Sequence, residues 1–213
     1  AQSPYLFFLS TVLRVRTLDD PAADIEMDLR DYGDLVHAIL QRYVSARIES
    51  GSGPDRDLLM AALRHECEAA IAASPGLVAS LWRRREMMLA AELDRWFAED
   101  SADFDAGWRP AATELGFGRS DGDGSVVEIP FEVSTSTGAA TVLLAGSIDR
   151  LDVRAGTQRV TDYKTGKPPE AEARPTADDP TLRGTRFQLP LYAAAAQSAG
   201  RAPVSGARYW YCT

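Results

Sequence analysis

The order of hydrophobic and polar positions divides the chain into a helical half and a half with strand period. Tyr32, Leu35, Val36, Ile39, Leu40 and Tyr43 recur at three- and four-residue spacing, which predicts a helix over residues 32–48. Gly51-Ser52-Gly53-Pro54 interrupts that pattern, and Asp55 or Asp57 is placed to cap a second helix reaching residue 73. Residues 77–99 predict a longer amphipathic helix carrying Trp82, Leu89, Leu93 and Trp96. An apolar, aromatic stretch over residues 5–15 precedes them, suited to docking on the rest of the domain or on a neighbour.

Beyond residue 109 the period falls to two. Residues 109–117, 126–133, 141–153 and 158–164 predict strands separated by Gly- and Asp-rich turns. A Pro- and Asp-rich loop over 168–180, a helix over 187–198 and a last strand over 204–212 follow. No internal repeat is evident. Helices, then a meander, then a helix and a strand predict an α/β fold with a helical region first. The expected division is a helical region over residues 1–100 and a core over residues 101–213, forming one compact piece of a larger protein.

Composition narrows the partners. A net charge of −8 and a pI near 4.8 exclude a general polyanion binder, although a local positive patch can still meet phosphate. No apolar run reaches membrane-spanning length, and no membrane partner is expected. The only cysteines, Cys67 and Cys212, are too few for a disulfide framework or a four-cysteine metal site. A reduced, cytoplasmic setting is the expectation.

Lysine is the informative residue. Only Lys164 and Lys167 interrupt the use of arginine, and both lie in Asp162-Tyr163-Lys164-Thr165-Gly166-Lys167. An ammonium is a compact point charge on a flexible stem, whereas a guanidinium is a planar fork. Arg154-Ala155-Gly156-Thr157 signals a tight hairpin turn just upstream. With Ala155 and Gly156 as loop residues, Asp149 falls opposite Asp162, Ser147 opposite Lys164 and Leu151 opposite Val160, all on one face. The other face pairs Asp152 with Arg159 and Arg150 with Thr161, a compensated polar surface. Opposed like charges destabilise a strand pair, so the two aspartates suit a divalent cation with oxygen ligands. The alternative is a surface hairpin with solvated aspartates and a weak lysine ion pair.

Three segments then form a pattern: Gly146-Ser147-Ile148-Asp149-Arg150-Leu151-Asp152, Asp162-Tyr163-Lys164-Thr165-Gly166 and Gln188-Leu189-Pro190-Leu191-Tyr192. In order and spacing over residues 146–192 they resemble the signature of RecB-type nucleases of the PD-(D/E)xK superfamily. Such domains are common at the C-terminus of bacterial helicase–nucleases. The resemblance implies a restriction-endonuclease-like core, a central mixed sheet flanked by helices, with an N-terminal helical region. It implies that Asp149, Asp162, the backbone carbonyl of Tyr163 and the helical His37 hold Mg2+ or Mn2+. Lys164 would orient the attacking water, and Gln188 and Tyr192, four apart on a helix, would position the site or the DNA backbone. Glu114 falls where the family often has an acid near the site, and Arg150 and Lys167 would touch DNA phosphate. His65 has no counterpart and is read as surface or packing.

The implied activity is metal-dependent hydrolysis of DNA, by an exonuclease acting on a single strand or duplex end. A helicase domain of the same or a partner chain would feed it, in the processing of double-strand breaks for recombination. The alternative is a catalytically inactive nuclease-like module that binds DNA or braces a complex. Some relatives carry an iron–sulfur cluster on four cysteines. Here Ser3 stands roughly where the first would fall, and no iron–sulfur cluster is expected.

Overall fold

Three helices, built on apolar stripes, open the described part of the chain. The structure, a computed structural model, describes residue 8 and residues 29–73, 79–118, 129–135, 138–199 and 202–212. Ser3 and, apart from Phe8, the apolar stretch over residues 5–15 lie outside them. Helix α1 (Leu29–Ser50) buries the predicted stripe from Tyr32 to Tyr43 and extends it through Val44 to Arg47. Helix α2 (Arg56–Ala73) starts at Asp55, whose Oδ1 accepts the backbone N–H of Asp57 at 2.9 Å and of Leu58 at 3.1 Å. These bonds satisfy two of the donors that a helix start leaves open. Helix α3 (Ala79–Asp105) buries Trp82, Leu89, Leu93 and Trp96. It runs past residue 99 because no glycine or proline intervenes before Gly107, whose φ of 93° ends it. Among the described residues no helix is long and apolar enough to cross a membrane.

The strands follow in chain order: β1 (Arg109–Phe117), β2 (Ile129–Thr135), β3 (Gly138–Leu144), β4 (Gly146–Arg154) and β5 (Thr157–Lys164). Helix α4 (Gln188–Ser198) and β6 (Val204–Tyr211) complete the core. The main sheet has the order β1-β4-β5-β6, antiparallel except for the parallel pair β5–β6, whose crossover carries α4. The fold is therefore α/β, a four-stranded mixed sheet flanked by helices behind a helical N-terminal region.

One predicted strand is in fact two. The run over 141–153 breaks at Ala145, so β3 pairs with β2 in a separate two-stranded sheet while β4 pairs with β1. Apolar residues continue across the junction, so alternation does not reveal the break. Gly146 marks it: a Cβ there would lie 2.8 Å from the Phe117 ring, too close for any other residue without a shift. The β4–β5 hairpin keeps the predicted register, from Arg154↔Thr157 to Arg150↔Thr161. Ala155 and Gly156 have φ of 46° and 78°, the left-handed pair that matches the twist of the flanking strands.

Two apolar clusters fill the interior. The larger joins α1, α2 and α3 to Tyr163, Trp210 and Cys212, and the smaller joins Phe117, Ile148, Leu151 and Val160 to Ala195 and Ala196 of α4. Both faces of β4 are thus covered, and all of Ile148–Asp152 is buried. This corrects the reading of the Arg150–Asp152 face as a polar surface.

Candidate active site

Where the β4–β5 ladder ends, side chains take over from backbone pairing. The Tyr163 N–H donates to Asp149 Oδ2 at 2.6 Å, and the two strands' carboxylates are brought to the same opening. The exact cross-strand pairing of Asp149 with Asp162 expected from alternation is replaced by this side-chain bond. Asp149 is 8% and Asp162 2% exposed, so both are withdrawn from water. Burial pushes the Asp149 carboxyl up to about 6, with Asp162 and Glu114 adding to the effect. His37 and the Tyr163 amide pull it the other way. Burial also raises Asp162, against the opposing influence of Lys164 and Gln188. Two carboxyls resisting ionisation in one place describe a site that an added positive charge would complete.

Helix α1 supplies the imidazole. The His37 Nε2–H donates to the Tyr163 carbonyl at 3.2 Å, since a carbonyl can only accept. In the neutral ring Nδ1 then keeps its lone pair and faces Asp149 Oδ2 at 3.7 Å. Glu114 completes a group in which one ligand atom from each of His37, Glu114 and Asp149 lies within 4.8 Å of the others. Its backbone sits at φ 45° inside β1, a conformation that costs energy for a non-glycine residue and is most often retained at functional sites. The Ser147 hydroxyl donates to Glu114 at 2.8 Å and orients it. Two lone pairs facing each other, with the second carboxylate, Glu114, beside them, fit a divalent cation.

Strand β5 and α4 supply the cation and its holders. Lys164 Nζ pairs with Asp162 Oδ2 and donates to Gln188 Oε1 at 3.1 Å. The Gln188 amide in turn donates to Asp162 Oδ1 and, at 3.0 Å, to the Tyr192 hydroxyl oxygen. Burial pushes the Tyr192 phenol up to about 12, so it stays protonated at neutral pH. The Tyr192 ring also packs edge-on against Phe117, with centroids 5.9 Å apart. Gln188 therefore clamps the amine and the acid together.

Of the residues singled out in the sequence, His37, Glu114, Asp149, Asp162, Tyr163, Lys164, Gln188 and Tyr192 converge here. Lys167 does not join the cluster; it is exposed in the irregular segment beyond β5. His65 is exposed on α2, as read. Arg150 is corrected. It is 1% exposed, with its guanidinium on Asp100 and Asp152 at 2.8 Å each, and it cannot present itself to a phosphate. Its partner Asp100 went unnoticed in the sequence. The available signal was that Asp100 stands four residues after the buried Trp96, on the same stripe of α3. Ser147 was placed opposite Lys164, whereas its hydroxyl turns to Glu114 of β1, a pairing with no local sequence signal.

The chain matches the family model described as the PD-(D/E)XK nuclease superfamily over residues 1–213. No curated protein matches it.

Proposed function

The chain belongs to the PD-(D/E)XK nuclease superfamily, and from that premise we propose that it is a divalent-metal-dependent DNA nuclease. The observation that carries this reading is the convergence of Asp149, Asp162 and Lys164 with His37 and Gln188, drawn from two strands and two helices. His37, Asp149, Asp162 and the Tyr163 carbonyl would hold Mg2+ or Mn2+, with Glu114 beside them. The bound ion would supply a Lewis acid for the scissile phosphate and a water of lowered pKa.

The chain's own residues do the rest. Lys164, fixed by Asp162 and Gln188, directs its ammonium to the phosphate oxygens and orients the attacking water. The protonated Tyr192 phenol holds Gln188 in place, so the amine does not drift. The half-buried setting limits competing water and strengthens each charge interaction.

The resemblance of residues 146–192 to RecB-type nucleases supports an exonuclease in a helicase–nuclease, acting on DNA ends in double-strand break repair and recombination. The acidic net charge of −8 fits that setting, because motor domains would supply most of the DNA affinity. The test is incubation of the purified protein with linear DNA and Mg2+ or Mn2+. Lys164→Ala and Asp162→Ala are expected to abolish cleavage while circular dichroism stays native; unchanged cleavage by either variant defeats the assignment. Calorimetry with Mn2+ separates the enzyme from an inactive scaffold, which has no need to hold the ion.

A further inference from the structure

Strand β6 presents aromatic rings beside the site that hydrolysis itself does not use. In the parallel β5–β6 register Tyr209 lies next to Asp162 and Tyr211 next to Lys164. Side chains alternate along a strand, and Trp210 between them is buried in the main core. Tyr209 and Tyr211 therefore face the opposite side, the one that carries Asp162 and Lys164. Lys164 Nζ lies 5.3 Å from the centre of the Tyr209 ring, and the two tyrosine rings meet edge to face at 6.4 Å. Both are half-buried, unlike Trp210 and Tyr163, which are 3% exposed each.

The segment entering α4 carries a further exposed ring. Phe187, which precedes Gln188, is 50% exposed, a large apolar ring left in water. Arg186, its neighbour in the chain, is exposed, and its charge opposes the rise that burial imposes on the Tyr209 phenol. An exposed ring and an arginine thus lie in the segment that leads into Gln188, the residue that holds the Lys164 ammonium.

We propose that Tyr209 and Tyr211, with Phe187, form a stacking platform that receives the unpaired bases of a single strand while its phosphates reach Lys164 and Arg186. The inference rests on the nuclease reading of the adjoining site and names its substrate as a single strand. In a duplex each base face is covered by its neighbours, whereas a single strand offers those faces to aromatic side chains. Stacking also supplies affinity that an acidic protein cannot draw from charge alone.

The test uses the full chain, in EDTA so that nothing is cut, with a fluorescent oligothymidylate and a blunt duplex of equal length read by anisotropy. The Tyr209→Leu/Tyr211→Leu pair is expected to lose about tenfold or more in single-strand affinity, and the Tyr209→Phe/Tyr211→Phe pair to stay within about twofold of wild type. Wild-type affinity in the leucine pair, an equal loss in the phenylalanine pair, or a wild-type preference for duplex overturns the platform. Phe187→Ala, at an exposed position, is an independent arm should the leucine pair fail to fold. A several-fold loss supports the proposal, and none refutes it. Cleavage with Mn2+ is scored separately. Ring-dependent strand binding by a protein that never cuts refutes the nuclease assignment alone, and cutting with ring-independent binding refutes the platform alone.

Discussion

At the scale of single residues, Asp149 shows how this site opposes the stability of its own fold. Burial raises its carboxyl from the ordinary 3.8 to about 6 in the folded chain, so the folded protein favours the protonated form. The resulting penalty is absent below the unfolded value, grows as pH climbs through the interval, and is complete above about 6. Its size at neutral pH is on the order of 3 kcal/mol. Asp149→Asn should therefore raise the melting temperature of the metal-free protein at pH 8 and leave it nearly unchanged at pH 4. Thermal melts in EDTA at the two pH values read this directly, and an equal gain at both would refute the account. The same variant should lose Mn2+ binding. The arginine beside it behaves differently: Arg150 belongs to the interior, and replacing it should lower stability rather than the affinity for phosphate.

Elements meet through charges at the ends of their apolar stripes. The α1 stripe ends on Arg47 and the α3 stripe on Asp100, and these buried residues pair with one another. Asp100 also takes Arg150 of β4, and Arg150 takes Asp152, which meets Arg159 of β5. Asp103 of α3 then binds Arg159 and Arg208 of β6. The chain of ion pairs ties two helices to three strands, with Trp96 and Trp210 near the Arg150 guanidinium. Removing one member of a buried set leaves its partners uncompensated. Asp100→Ala, which takes the carboxylate from Arg47 and leaves Arg150 only Asp152, should cost ~3–5 kcal/mol in urea unfolding. A loss below about 1 kcal/mol would mean that the arginines reach water instead.

These elements also show what could be read from sequence. The helices were legible because three- and four-residue spacing is a local property, and the cap was narrowed to Asp55 or Asp57, of which the structure uses Asp55. The β4–β5 register was legible because a two-residue turn fixes it. The partners of β4 on its other edge were not. Pairing of β1 with β4 spans the β2–β3 hairpin, and no local residue encodes it. Hence the Arg150 face looked polar and solvated, although α3 covers it. Motif spacing drew attention to Asp149, Asp162, Lys164 and Gln188, but the Nδ1 of His37 facing Asp149 needed α1 packed on the sheet.

At the scale of the whole molecule, the candidate metal ligands straddle a boundary. His37 belongs to the helical region, whereas Asp149, Asp162 and Tyr163 belong to the sheet. An ion that binds only the folded arrangement stabilises it by mass action, by about 2.7 kcal/mol at a hundredfold excess over its Kd. Mn2+ should therefore raise the melting temperature of the wild type, EDTA should reverse the rise, and His37→Ala should show almost none. A rise of full size in that variant would place the ion elsewhere.

The bond from the Tyr163 amide to Asp149 gives this boundary a built-in reporter. That one backbone hydrogen is held by a carboxylate whose same oxygen faces His37 of α1. Its rate of exchange with deuterated solvent would distinguish, in a single peptide, molecules with α1 docked on the sheet from molecules whose α1 has come away.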